Sequence, residues 1–240
     1  MIISISPPYY FPNAEILHRI ILSDVHVILD TTPFADNSLI NKTKIITHSG
    51  ISWLTVPVLS KTISDNEPVK NLQIFTGKPW ENEHINIIKT AYKKSANFKK
   101  YFPFIKKILS KKWKSMADLN LEIYGFLFQE LGIDTKLILA SDENISGKYQ
   151  NQIIKILDKT IANVYYTTPH DRIYFSEEKY VEILDEMKVQ IEYQQYRTNT
   201  YTQVQKGFIP QTGTIDLLMN LGDKTKSIIM KNNKSKIKVF

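Results

Sequence analysis

The groups that could carry chemistry in this chain are few, and most sit near the ends of predicted strands. His18 and His84 are imidazoles able to act as general bases or to contact phosphate, although a lone histidine is also a common structural residue. Asp30 is followed by Thr31-Thr32-Pro33-Phe34. It could hold a sugar hydroxyl or a metal, act as a base, or simply cap a turn. Pro7-Pro8-Tyr9-Tyr10-Phe11-Pro12 places three aromatic residues in a proline-stiffened loop. With Trp53 they make either a wall that stacks on a sugar or base face, or a roof over the core. Ser141 opens Ser141-Asp142-Glu143, which either caps a helix or helps present amides to a carbonyl oxygen. His84 and Tyr92 lie eight residues apart on one predicted helix, about 80° apart around its axis, which permits a shared cleft without requiring one.

Several chemistries lack their signatures. Neither a GxxxxGK[ST] nor a GxGxxG loop occurs, so the phosphate cradles of those motifs are missing. GxSxG is absent, which argues against a hydrolase nucleophile on a strand-to-helix turn. His26, His48 and His170 have no companion at metal-ligand spacing and no HExxH occurs, so no metal is expected. The chain has no cysteine, which excludes disulfides, thiolate zinc and a cysteine nucleophile, and fits a reducing cytoplasm.

The elements that would position these groups alternate. Ile2–Ser6 reads as a buried strand, Asn13–Ile21 as a helix capped by Asn13, and Val25–Leu29 as a second strand, which together form a βαβ unit. Segments 44–47, 52–58 and 72–75 read as further strands. Helical periodicity dominates from Glu81 to Gly132, with Gly132 as a C-terminal stop. Strands at 135–139, 163–166 and 189–193 then alternate with helices at 150–157, 178–187 and 214–221. The expected fold is α/β, a mostly parallel, doubly wound, Rossmann-like sheet with a helical insertion at about 81–132. Residues 1–223 would form one domain.

The net charge of +7 is localised: residues 224–240 carry six lysines and no acid, leaving the body close to neutral. That segment reads as a basic C-terminal tail, either a solvated terminus or a weak contact with an anionic membrane surface. Nothing in the body suggests a nucleic-acid partner. The N-terminus lacks the pattern of a secretory signal, and no apolar run is long enough to span a bilayer, so a cytoplasmic protein is expected.

An ordered set of short segments resembles the WbqC-like protein family. It runs from Pro8-Tyr9-Tyr10-Phe11-Pro12 and His18 through Ser23-Asp24-Val25-His26-Val27-Ile28-Leu29-Asp30 to Trp53-Leu54-Thr55-Val56-Pro57-Val58. Trp80 with His84, Ala91-Tyr92-Lys93-Lys94, Tyr101-Phe102-Pro103, Asp118-Leu119-Asn120, Leu131-Gly132-Ile133 and Ser141-Asp142 continue it. Tyr201, Gln203, Phe208, Pro210 and Ile215-Asp216-Leu217-Leu218 close it. The resemblance implies an association with bacterial O-antigen and related surface-polysaccharide synthesis. It also places Asn41, Lys42 and Asp216 among the substrate-contacting residues, beside Tyr9, Tyr10, Phe11, Trp53, Tyr92 and Ser141. The chain departs from the family pattern at Pro7, Thr31, Pro33, Lys42 and Gly213. Family members usually carry Gln, Asp, Gln, Arg and Ser there.

The resulting expectation is a transferase moving an acyl or aminoacyl group onto an amino sugar on a nucleotide carrier. A coenzyme A thioester is one possible donor, with His18, Asp30 and His84 as the catalytic set. Two alternatives stand beside it: an adenylating or nucleotidyl-transferring enzyme using ATP–Mg²⁺, and a non-catalytic binding or scaffold protein of the same pathway. The first reading requires the tyrosine-rich loop, the His18 imidazole and Asp30 to face one hollow.

Overall fold

Alternation along the first strand sets up the sheet. Strand β1 (Ile2–Ser6) turns Ile3 and Ile5 to one face, Ser4 and Ser6 to the other. It pairs in parallel with β2 (Val25–Ile28) on one side and β6 (Val164–Thr167) on the other. β5 (Lys136–Leu139) extends the sheet beyond β2, and β7 (Gln190–Tyr193) beyond β6, giving the order β5-β2-β1-β6-β7 with every pair parallel. The chain winds outward through β2 to β5, then returns past β1 and winds the other way to β7. This is the doubly wound α/β architecture that the alternating elements predict. The computed structural model describes residues 1–35, 38–59, 61, 67–205 and 207–233.

The two faces of the sheet carry different cores. Ile3, Ile5, Val25 and Val27 pack against α5 (Tyr149–Lys159) and α6 (Glu178–Glu186) through Ile153, Ile156, Leu157, Tyr180 and Leu184. The other face carries α1 (Ala14–Ile21), whose Ile16, Leu17 and Ile20 share a larger cluster with Ile28 and the insertion. Asn13 caps α1, its side chain accepting from the Ile16 amide at 3.0 Å. On this second face His26 lies opposite Ser4 and is clamped, with Nδ1 2.7 Å from Ser4 Oγ and Nε2 3.1 Å from Ser6 Oγ. Burial, reinforced by the Arg19 charge, lowers its pKa to about 3, so the ring is a neutral crosslink between β1 and β2.

The insertion between β2 and β5 begins with an antiparallel ribbon, β3 (Lys42–Thr47) and β4 (Gly50–Thr55), separate from the main sheet. It continues with α2 (Trp80–Tyr92), α3 (Phe98–Leu109) and α4 (Met116–Leu131). Gly132, at φ 56°, ends α4 in the left-handed region that glycine tolerates best. The strand expected at 72–75 is instead a one-turn helix at Val69–Asn71 followed by isolated bridges Val58–Ile74 and Gln73–Ser115. Leu72 and Ile74 are buried without a neighbouring strand long enough to make a ladder.

The C-terminal segment is docked further than a tail would be. After α7 (Thr214–Leu221), a short α8 (Thr225–Met230) buries Thr225 and Ile229. Asn233 is also buried, while 234–240, the remainder of the expected tail, lie outside the described residues. No helix among the described residues is long and apolar enough to cross a membrane.

Gly213 sits where the chain leaves no room for a side chain. A β-carbon at this position would run into Thr43 Oγ1 and meet the Phe11 carbonyl oxygen at 3.0 Å. Thr43 Oγ1 itself donates to that carbonyl at 3.0 Å. The missing side chain at 213 therefore makes room for the Thr43 hydroxyl. Gly213→Ser should cost about 1–3 kcal/mol. Its cost should shrink in a Thr43→Ala background, read as a non-additive double-mutant cycle in chemical denaturation. Strictly additive losses would show that crowding at Thr43 is not the reason.

Candidate functional site at the reversal of the sheet

β1 and β6 are neighbours whose onward connections leave in opposite directions, so no crossover covers the edge beyond their carboxyl ends. In sheets of this kind ligands bind at that edge. β1 runs there into Pro7-Pro8-Tyr9, and β6 into Thr168 and the tight turn Pro169–Ile173.

That turn brings Asp171 back over its own strand. The Oδ2 atom accepts from the Tyr165 hydroxyl at 3.1 Å, from the Tyr149 hydroxyl at 3.4 Å, and from Thr167 Oγ1. Three donors on one oxygen fix the carboxylate in a single orientation. Oδ1 has no protein partner among the described residues and is not sealed from solvent. An acceptor pinned on one side and open on the other is the arrangement a general base requires.

Tyr9 stands across the same edge. Its amide donates to the Tyr124 hydroxyl at 3.3 Å, and Asn120 holds the loop by donating to Pro8 O at 2.9 Å and Ile40 O at 2.8 Å. The Tyr9 ring is half-buried and its hydroxyl has no protein partner among the described residues. Burial raises its pKa, the Arg19 charge opposes the rise and the Asp171 charge adds to it, so the phenol is a neutral donor at pH 7. Arg19 lies deeper, 4% exposed, with Nη1 donating to Gln194 Oε1 at 2.9 Å. Gln194 immediately follows β7, which sets the guanidinium at the carboxyl edge.

The residues singled out from the sequence are distributed differently. His18 Nε2 is 2.6 Å from the Asn233 carbonyl and its Nδ1 2.8 Å from Gln194 Nε2. The carbonyl can only accept and the amide can only donate, so the ring is the neutral Nε2–H tautomer with both nitrogens occupied. His84 places Nδ1 3.0 Å from the Tyr10 hydroxyl and Nε2 3.2 Å from Thr55 O, again using both nitrogens. Burial lowers its pKa to about 4, against a smaller opposing effect of the Thr55 carbonyl. Asp30 accepts from the Ser141 amide at 3.0 Å and the Ser141 hydroxyl at 2.6 Å, tying the ends of β2 and β5 together. His18, Asp30 and His84 thus belong to three hydrogen-bonded groups that share no residue.

The expected aromatic wall divides. Tyr10 and Phe11, each 1% exposed, turn into the core, because the chain reverses at Phe11 with φ 45°. Trp53 is 48% exposed on the ribbon with the Lys42 ammonium 5.3 Å from its ring, and Asn41 Nδ2 donates to Val56 O at 3.0 Å. Tyr92 and Asp216 do meet: the Tyr92 hydroxyl donates to Asp216 Oδ1 at 2.9 Å. The Asp216 carboxylate is fully buried and also accepts from Tyr201 at 2.6 Å, Gln203 at 2.9 Å and Thr212 at 3.2 Å. Of the loop aromatics only Tyr9 reaches the reversal edge. Asp171 was missed, although its place just after a β-branched strand is a signal the sequence does carry.

A recess of about 930 Å³ lies elsewhere, lined by Glu67, Lys70, Asn71, Gln73, Phe75 and Lys114 among others. Its lining carboxylate, Glu67, accepts from Asn71 Nδ2 at 2.7 Å in an exposed hydrogen bond, in contrast to the buried Asp171. Among the described residues no group of three His, Asp or Glu side chains could hold a metal ion. The edge is therefore the stronger candidate.

Comparison with known proteins gives a consistent frame. The sequence pattern described as the WbqC-like protein family matches residues 7–228. An uncharacterized protein of Mycobacterium tuberculosis is 25% identical over 217 residues, which cover 89% of this chain and 90% of the relative. No solved structure matches.

The buried neutral imidazoles make stability depend on acid. His26 and His84 have pKa values depressed to about 3 and about 4, against about 6.5 in the unfolded chain. Their contribution is complete above pH 6.5 and is lost as the pH falls from there towards 4 and then 3. Unfolding near pH 5 should take up about two protons through these rings, a slope of about 1.4 kcal/mol per pH unit for each. Denaturation at pH 7, 6 and 5 checks this, and His84→Gln should remove about one proton from the uptake. A flat profile would mean that the rings are charged in the folded state.

Proposed function

The chain belongs to the WbqC-like protein family, and we propose that it is a transferase of bacterial surface-polysaccharide synthesis that acylates or aminoacylates an amino sugar carried on a nucleotide. The observation that carries this reading is the pairing of Asp171 and Tyr9 across the carboxyl edge where the sheet reverses its winding. The nucleotide-linked sugar lies along that edge, in the cytoplasm where such precursors are made. Asp171 Oδ1 takes a proton from the sugar's amine as its nitrogen attacks the donor carbonyl. The Tyr9 hydroxyl donates to the carbonyl oxygen as negative charge develops on it. The new C–N bond replaces the donor's C–S bond when the donor is a thioester such as that of coenzyme A, and the departing thiolate recovers the proton. His18 and His84 hold neighbouring segments in place.

Two substitutions separate chemistry from folding. Tyr9→Phe removes a hydroxyl without a protein partner, so it should leave the melting temperature nearly unchanged while lowering kcat. Asp171→Asn should lower turnover by about 10²–10⁴-fold. A thermal-shift series with UDP- and dTDP-amino sugars, a coenzyme A thioester and ATP–Mg²⁺ identifies the substrate class. Stabilisation by the nucleotide-linked amino sugar supports the reading. Stabilisation by ATP–Mg²⁺ alone would replace it with an adenylating or nucleotidyl-transferring activity. Full activity in both variants, or no response to any compound, would reject it in favour of other residues or a non-catalytic role.

A further inference from the structure

Arg19 is a buried cation without an acid. Its side chain is 4% exposed, and the ion pairs among the described residues are all made by lysines. Nη1 is engaged by Gln194 Oε1 at 2.9 Å. Gln194 is itself locked, its Nε2 donating to Glu15 O at 2.8 Å and to His18 Nδ1 at 2.8 Å, so it offers the guanidinium one neutral oxygen and no charge. Nε is buried with no acceptor at all, and Nη2 has no protein partner among the described residues but is not sealed. Nε–H and the adjacent Nη2–H point the same way and form the side-on fork with which a guanidinium grips two oxygens of one anion. That fork is the edge left without a protein acceptor.

Carboxylates stand in the neighbourhood, Asp171 acting on Tyr9 and Glu192 on Tyr166 alongside Arg19, but none pairs with the guanidinium among the described residues. The guanidinium acts on the titration of Tyr9, Tyr124, Tyr166, His18 and His26, all of them uncharged at neutral pH. An arginine cannot escape its cost by losing a proton, and a buried cation without a partner is strongly unfavourable. A neutral side chain of the same length would fill the space more cheaply, unless an anion completes the site. Gln194, which engages Arg19, donates its backbone amide to Thr167 O at 2.7 Å, and the Thr167 hydroxyl donates to Asp171, so the guanidinium belongs to the same edge as Asp171.

We infer that the Nε–Nη2 edge of Arg19 is a phosphate-binding subsite, occupied in the working protein by the diphosphate of the nucleotide carrier. The identity of the carrier rests on the proposed transfer reaction; the affinity for a phosphate oxyanion does not. Bidentate capture there would set the sugar end of the carrier towards Tyr9 and Asp171, which would read the reacting group and not the anchor.

The chain has three arginines, so the Nε–H signals in a ¹⁵N-labelled sample are few and Arg19→Lys assigns the one in question. Pyrophosphate, UDP and acetate are titrated in sulfate- and phosphate-free buffer. The expected result is a saturable shift of the Arg19 signal with pyrophosphate and UDP and none with acetate. Binding should weaken at least about tenfold in Arg19→Lys, which keeps the charge and loses the fork, and vanish in Arg19→Met. If Arg19→Met does not fold, the wild-type signal decides. A silent Arg19 signal at concentrations that saturate binding elsewhere, or unaltered affinity in Arg19→Lys, overturns the subsite. UDP binding no tighter than pyrophosphate overturns its assignment to a nucleotide. A responsive Arg19 without any amino-sugar transfer would keep the subsite and reject the reaction. Loss of turnover in Asp171→Asn beside a silent Arg19 would do the reverse.

Discussion

The rest of the molecule depends on β1 lying between β2 and β6, with the chain reversing its direction of winding across that seam. Parallel neighbours need crossovers, and crossovers that depart to opposite faces leave the strand ends between them uncovered. Backbone and side-chain polar groups can be left open there while the flanks are closed by α1 on one face and by α5 and α6 on the other. The seam also explains why β1 carries serines on one face. Ser4 and Ser6 leave room for the His26 ring between the strands, where an aliphatic pair would have displaced it.

Satisfaction of buried polar groups decides which residues are free to act. A buried imidazole must place a donor and an acceptor, and His18, His26 and His84 each find partners for both nitrogens. Asp30 and Asp216 are consumed in the same way, one by Ser141 and the other by tyrosines and amides. Among the described residues the buried side-chain atoms left without a partner are Arg19 Nε, Trp80 Nε1 and Asn120 Oδ1. Of these only Arg19 carries a charge, and the open oxygen of Asp171 and the Tyr9 hydroxyl lie towards the same seam.

Periodicity made most of the fold legible. The bounds of β1, α1 and α7 follow directly from apolar spacing, the Asn13 cap and the flanking glycine and proline residues. Segment 72–75 was less legible, because alternation reports burial and Leu72 and Ile74 are buried without a ladder. The site was read less well than the fold. Residue type identified His18, Asp30 and His84, but whether a polar side chain is spent or free depends on partners such as Asn233, Ser141 and Tyr10, as much as 215 positions away. Tyr9 was accessible to the sequence, while Asp171 needed the strand order, and Arg19 needed the knowledge that no carboxylate packs against it.

The hydrogen bond between His18 and the Asn233 carbonyl, 215 positions apart, has a consequence for biosynthesis. At roughly 5–20 residues per second, about 10–40 s of elongation separate the appearance of the two partners on the ribosome. Until then α1 lacks the segment that closes its polar side, and β1 has no β6 beside it for most of the same interval. The N-terminal third must therefore wait in a partly hydrated state, and it locks only once the segment around Asn233 has emerged.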